Sequence, residues 1–247
     1  DRSLNAAVTE YMRFLEDEEM HAIEDWMDPA VRAVNGRFTP AEPGEIRNFF
    51  SEVTYRDPLA MRTHMHHWIE LARMREGPHP SPIRRVPSLY NIFDHRSEGL
   101  ATGVEEMFMH AGLFDARPRS RELIWIMLAQ RAARALSGLY LHGNEFVMEE
   151  AVEHASTWTP RGWLPDGDLV RFEQQLYLRQ PGYGTSYLSG KIQIEDLMAE
   201  QARQLGSDFT VGGFFDEIFD IGVIPLTLAR WEMTGTRDAI LDGAWDG

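Results

Sequence analysis

Apolar side chains recur every three or four positions over most of the chain, the spacing that puts them on one face of a helix. From Leu4 to Met27, Val8, Met12, Leu15, Ile23 and Trp26 keep that spacing while the acidic run Glu16 to Glu19 falls on the solvent side, predicting a first helix. Pro29, Gly36, Pro40 and Pro43 make Asp28 to Gly44 turn-rich, so an irregular stretch is expected before a short helix over Glu45 to Val53. A second long helix is predicted from Asp57 to Met74 on Leu59, Trp68, Ile69, Leu71 and Met74, with Asp57 as N-cap and Pro58 at its first position. The segment "GPHPSPIRRVP" then carries Pro78, Pro80, Pro82 and Pro87, which cannot continue a helix. Helices are expected again over Arg96 to Ala111, Arg119 to His142, Glu145 to Thr157 and Asp168 to Arg179, the last with its aspartate as N-cap. "QPGYGTSY" reads as a break, after which Leu188 to Leu205 and Val223 to Met233 resume the helical pattern, and the polar C-terminus past Thr234 is expected to be loosely ordered. With no strand hairpin, internal repeat or flexible linker, the reading is one all-α domain over residues 1–247, an irregular multi-helix bundle with proline-rich loops.

Composition narrows the partners. The hydrophobic fraction of 43% supplies enough apolar surface for one large core. A formal charge of -15 repels polyanions, which argues against nucleic acid. No apolar run approaches the roughly 20 residues that span a bilayer, so no membrane is expected. The absence of cysteine removes disulfides and thiolate chemistry and fits a cytoplasmic protein. Lys191 is the sole lysine among many arginines, a bias that GC-rich bacterial genomes produce.

Four segments occur in a fixed order: "EGLATGVEEMF", "RAARALSGLYLHG", "PGYGTSYLSGKIQIEDLMAEQARQLG" and "FFDEIFDIGVIPLTL". Over about Arg62 to Met233 they resemble the C-terminal half of a bacterial family, domain of unknown function 885, similar to helical zinc peptidases of the zincin group. Family members are commonly about twice this length, so the resemblance implies a missing N-terminal half supplied by a second polypeptide or dispensed with. It further implies that Glu98 and Glu105 fall on the glutamates of the pattern "EGWAxYxE", Arg131 and Arg134 on "RxxR", His142 on the histidine ending that helix, and Tyr187 on the tyrosine of "PGxxxSY". Departures accompany these matches. In "YRDPLAMRTHMHH" the doublet His66-His67 stands, but Ala60 and Met61 occupy the place of the family's His-Glu pair; Phe215 replaces a histidine and Gly138 an aspartate.

Catalytic zinc needs about three fixed ligands and a nearby carboxylate base, and the loss of His and Glu together removes one ligand and the base. No metal and no cofactor is therefore expected. His64 and His67, three apart, would share a helical face and could chelate with Glu98; the competing reading is a polar cavity or plain packing. Asp57 has two readings, helix cap or replacement base. Glu98 and Glu105 share one helical face, as do Arg131 and His142 with Arg134 beside them. Facing helices of this kind make either a buried ion-pair network or a substrate site, and a paired Arg site suits carboxylate, sulfate or phosphate. Tyr183 and Tyr187 would add hydroxyl donors. Asp57, His66, His67, Glu98 and Glu105 are thus the candidate catalytic residues, and Arg131, Arg134, His142, Tyr183 and Tyr187 the candidate substrate contacts.

The leading functional expectation is a metal-independent enzyme of bacterial secondary metabolism. It would act by elimination or cyclisation on a small anionic substrate, expelling an anion such as sulfate, as in aziridine-type ring formation. It would work as one half of a hetero-complex with a subunit resembling the family's N-terminal half. The alternatives are a zinc peptidase completed by a partner and a non-catalytic scaffold subunit.

Overall fold

The computed structural model describes residues 2–32, 49–85, 90–159, 164 and 167–239. Over these residues the chain is helical, with no strand: α1 (Arg2–Asp17), α2 (Met27–Arg32), α3 (Phe49–Arg56), α4 (Pro58–His64), α5 (His66–Glu76), α6 (Tyr90–His110), α7 (Pro118–His142), α8 (Met148–Thr157), α9 (Asp168–Arg179), α10 (Tyr183–Leu205), α11 (Val211–Asp220) and α12 (Leu226–Thr234). No helix among them is long and apolar enough to cross a membrane.

The all-α expectation holds, and the boundaries differ where side chains capture backbone groups. The first helix ends at Asp17, ten residues before the predicted Met27. Glu19 takes a left-handed φ of 52°, and the Met20 N–H returns to the Leu15 carbonyl at 2.8 Å while Glu19 N–H bonds Glu16 O at 3.0 Å. That pair of bonds is a Schellman closure made without glycine, and it buries Met20 against the core. Met27 then opens α2, inside the stretch expected to be irregular; residues 33–44 and 45–48 lie outside the described residues.

The predicted helix over Asp57 to Met74 is two helices. Asp57 does cap α4, accepting from Ala60 N–H at 3.3 Å, but the helix breaks at Met65 (φ −69°, ψ −4°). The cause lies in the His-rich sequence itself. The His67 Nδ1 donates to the His64 carbonyl at 2.5 Å, the acceptor a continuous helix would offer to the Trp68 N–H, which bonds Met65 O at 3.0 Å instead.

Three further expectations are corrected. Gly167, not Asp168, is the N-cap of α9. "QPGYGTSY" contains a turn only as far as Gly182, whose φ of 90° reverses the chain so that α10 starts at Tyr183, and both tyrosines ride on its first turns. Helix α11 was not anticipated because Gly212 and Gly213 disguise it; Thr210 caps it by accepting from Gly213 N–H at 3.0 Å, and Gly212 packs on the Glu19 carbonyl. The proline segment is non-helical over 77–85, and Pro87 lies outside the described residues.

Helices α6 and α10 form the axis of the molecule, crossing where Gly99 meets Gly190 so closely that a Cβ on either would strike the other helix's backbone. On one side Tyr11, Leu15, Phe108, Phe214, Phe215 and Ile218 build the main apolar core. On the other side α7 and α9 close over a layer of buried charge, with Arg131 and Arg134 each about 1% exposed. That layer holds the candidate site.

Candidate functional site

Helix α6 presents Asp94, Glu98 and Glu105 on one face, at helical spacings of four and seven. Glu105 is the best-held of the three. Arg131 donates to it through both terminal nitrogens, Nη1 to Oε2 at 2.5 Å and Nη2 to Oε1 at 2.8 Å, and His64 Nδ1 donates to Oε1 at 3.0 Å. Burial pushes the Glu105 carboxyl up, but Arg131 and His64 outweigh it and leave it at about 2. Arg134, one turn further along α7, pairs with Glu173 of α9. Both guanidiniums lie against the ring of Tyr187, at 5.5 and 5.8 Å from its centroid.

Glu98 is held differently. Its Oε1 accepts the Tyr183 hydroxyl at 2.7 Å, whereas Oε2 is buried and receives no hydrogen bond from the described residues. Tyr183 stacks on Tyr177 (5.8 Å, 21°) and meets Tyr187 edge-on at 5.8 Å, so three tyrosines wall this carboxylate. Burial raises the hydroxyl pKa of all three, with the Glu98 charge contributing, so they remain protonated donors. His67 lies at the same cluster: burial and His64 depress its pKa to about 4, against an opposing pull from Glu98. A neutral imidazole and a carboxylate with one free oxygen can take and return a proton.

The structure gathers His64, His67, Glu98, Glu105, Arg131, Arg134, Tyr183 and Tyr187 into one polar layer, and leaves three predicted residues out of it. His66, adjacent to His67 at the start of α5, points into the apolar core. There Tyr11 OH bonds its Nδ1 at 2.9 Å and its Nε2 meets His21 Nε2 at 3.1 Å, forming a relay that satisfies three buried groups. Asp57 caps α4 and accepts from Ser120 Oγ at 2.5 Å; Ser120 stands eleven residues before Arg131 on α7, about 16 Å along the axis. His142 is exposed at the end of α7, its Nε2 on the Tyr177 carbonyl at 3.0 Å.

Sequence reasoning missed Asp94, Glu173 and Tyr177. Asp94 is 5% exposed, and burial with the Glu98 charge raises its carboxyl to about 7. Its signal was present one turn before Glu98, as was the four-residue spacing of Glu173 and Tyr177 on α9.

A family model for bacterial proteins of unknown function, DUF885, matches residues 66–233. The chain belongs to the DUF885 family. No curated protein matches it. Among solved structures, a putative lipoprotein from Colwellia psychrerythraea is similar in fold, with a TM-score of 0.58 at 21% identity over 74% of this chain. The DUF885 chain spans only 30% of that protein.

Among the described residues of this DUF885 member no zinc donor set is assembled. Ala60 and Met61 are buried apolar side chains in α4. His64 Nδ1 is committed to Glu105 and lies 3.1 Å from the Arg131 Nη2, whose positive charge opposes a cation there. Phe215, fully buried, packs on His21 and His66 at 5.1 and 5.2 Å, and Gly138 abuts Tyr177, whose ring lies 3.2 Å from where a Cβ would stand. Among the described residues no three His, Asp or Glu side chains converge as metal ligands.

Proposed function

We propose that this chain is a metal-independent enzyme of bacterial secondary metabolism that closes a ring or eliminates across a bond in a small molecule, expelling an anion such as sulfate. Aziridine-type ring formation is the example that fits this chemistry. The observation that carries the reading is Glu98: one carboxylate oxygen oriented by the Tyr183 hydroxyl, the other buried and unengaged. In the proposed step Glu98 takes the proton from the nucleophile or the carbon acid. The new bond forms as the carbon–oxygen bond to the leaving group breaks, and sulfate departs with that electron pair. Arg131 and Arg134 are already joined to Glu105 and Glu173, so they contribute a fixed positive field beside Tyr187 rather than a vacant anion clamp.

The lineage reading is a zincin-like scaffold, corresponding to the C-terminal half of longer relatives, whose metal motif has degenerated at Ala60, Met61, Gly138 and Phe215. A second subunit resembling the other half would complete the site. Exposed apolar side chains on α7, Trp125, Leu136 and Leu139, with Trp158 and Phe172 on neighbouring elements, support a partner. We take the cytoplasm as its compartment, in keeping with a cysteine-free chain.

The test is release of sulfate or phosphate from a panel of small sulfate and phosphate esters by the chain co-purified with its neighbouring gene product. Activity should survive chelators and fall about 100-fold or more in Glu98→Gln, the range expected on losing a general base. Peptide hydrolysis abolished by chelators would contradict the proposal.

A further inference from the structure

Besides Gln174 Oε1, four buried polar atoms of the α6–α9 layer receive no hydrogen bond from the described residues: Asp94 Oδ2, Glu98 Oε2, Glu173 Oε2 and the Tyr177 hydroxyl. They belong together. Asp94 and Glu98 are neighbours on one face of α6, Tyr177 stacks on the tyrosine that bonds Glu98, and the charges of Arg134, Glu173 and Glu98 all act on the Tyr177 hydroxyl. Tyr177 is 2% exposed. Within the same layer Glu105 and Glu173 each have a buried guanidinium, whereas Asp94 and Glu98 have no ion-pair partner among the described residues. Two adjacent buried carboxylates without a cation are costly, and native proteins keep such groups where a ligand satisfies them. Carboxylate oxygens accept, and with the Asp94 carboxyl held up to about 7 by burial and the Glu98 charge, a positively charged donor is the group that would let both ionise side by side.

We propose that Asp94, Glu98 and Tyr177 form a subsite for a protonated primary amine of the substrate. This rests on the reading of the same cluster as a small-molecule site. An alkylammonium carries three N–H donors, one each for Asp94 Oδ2, Glu98 Oε2 and the Tyr177 oxygen, and the faces of Tyr177 and Tyr183 wall a compact cation. A metal ion is a poorer match, since among the described residues no three His, Asp or Glu side chains converge as metal ligands. The substrate would then be bipolar, with its amine at α6 and its anionic end toward the field of Arg131 and Arg134.

Ethylammonium, tetramethylammonium and inorganic sulfate are the probes, titrated separately into the co-purified complex and followed by NMR of the tyrosine rings and by melting temperature. Ethylammonium should bind; tetramethylammonium, which has no N–H, should not. Asp94→Asn and Glu98→Gln should each weaken ethylammonium at least about tenfold, and Tyr177→Phe by a smaller factor, the loss of one hydrogen bond to a charged group. Asp94→Asn removes an unpaired buried charge, so it should fold with an unchanged or higher melting temperature, which separates lost binding from lost structure. Ethylammonium binding that is absent in the wild-type complex, or equal in Asp94→Asn, overturns the inference. Amine binding that depends on Asp94 without ester cleavage leaves the subsite standing and the enzymatic reading refuted; ester cleavage indifferent to Asp94 does the reverse.

Discussion

Glu105 and Arg131 are each about 1% exposed and hold one another through two hydrogen bonds, so neither can lose its partner cheaply. Arg131→Met should cost about 3–5 kcal/mol, because it leaves Glu105 buried and uncompensated, whereas the double variant Arg131→Met, Glu105→Leu should recover most of that loss. Urea titration of the four proteins in the cycle measures both quantities. The histidines set a pH dependence of definite sign. His21 and His67 fall from the usual 6.5 to about 4, chiefly through burial, and His66 is held well below 6.5 by the same cause. Their contribution is complete above about 6.5 and is lost as pH falls toward 4. Asp94, raised from 3.8 to about 7, runs the other way: its contribution is complete below 3.8 and lost as pH rises through 7. Three sites against one give a net loss of stability on acidification from 7 to 4, and Asp94→Asn should steepen it. Melting temperature across that range decides; a flatter profile in Asp94→Asn would contradict the assignment.

At the scale of helices, the crossing of α6 and α10 depends on the absence of side chains. A Cβ at Gly190 would strike the His95 carbonyl, so Gly190→Ala should destabilise the chain by about 3 kcal/mol or force the helices apart, measured by chemical denaturation. Gly184→Ala is a milder test, since its Cβ would meet only the edge of the Tyr177 ring at 2.8 Å. These elements also mark the reach of sequence reading. Apolar periodicity was enough to locate α7, α9 and most of α6, and helical spacing put Glu98 with Glu105 and Arg131 with Arg134 correctly. It could not foresee the break at Met65, because that depends on an imidazole capturing a carbonyl. Neighbours on one helix point about 100° apart, so His66 and His67, both taken as catalytic candidates, enter different layers, His66 the apolar core and His67 the polar one. Spacing along α7 suggested His142 as a companion of Arg131, yet eleven residues carry it to an exposed end, and only packing determines where a buried layer stops.

For the whole molecule, the charge of -15 disfavours polyanionic partners, while Trp158 (69%), Phe172 (56%) and Leu139 (53%) are exposed apolar side chains that the proposed partner would cover. Expressed alone, the chain should self-associate or aggregate by light scattering, and co-expression with its neighbouring gene product should give a defined hetero-complex. A fully active monomer would argue against that assembly. In the proposed reaction the Glu98 carboxylate acts without a metal. Elemental analysis of the complex, purified without chelators from zinc-supplemented cells, addresses it most directly. The account predicts zinc far below stoichiometry, because Ala60 and Met61 supply no ligand and Arg131 stands beside His64. A value near one zinc per chain, lost together with activity on chelation, would contradict it.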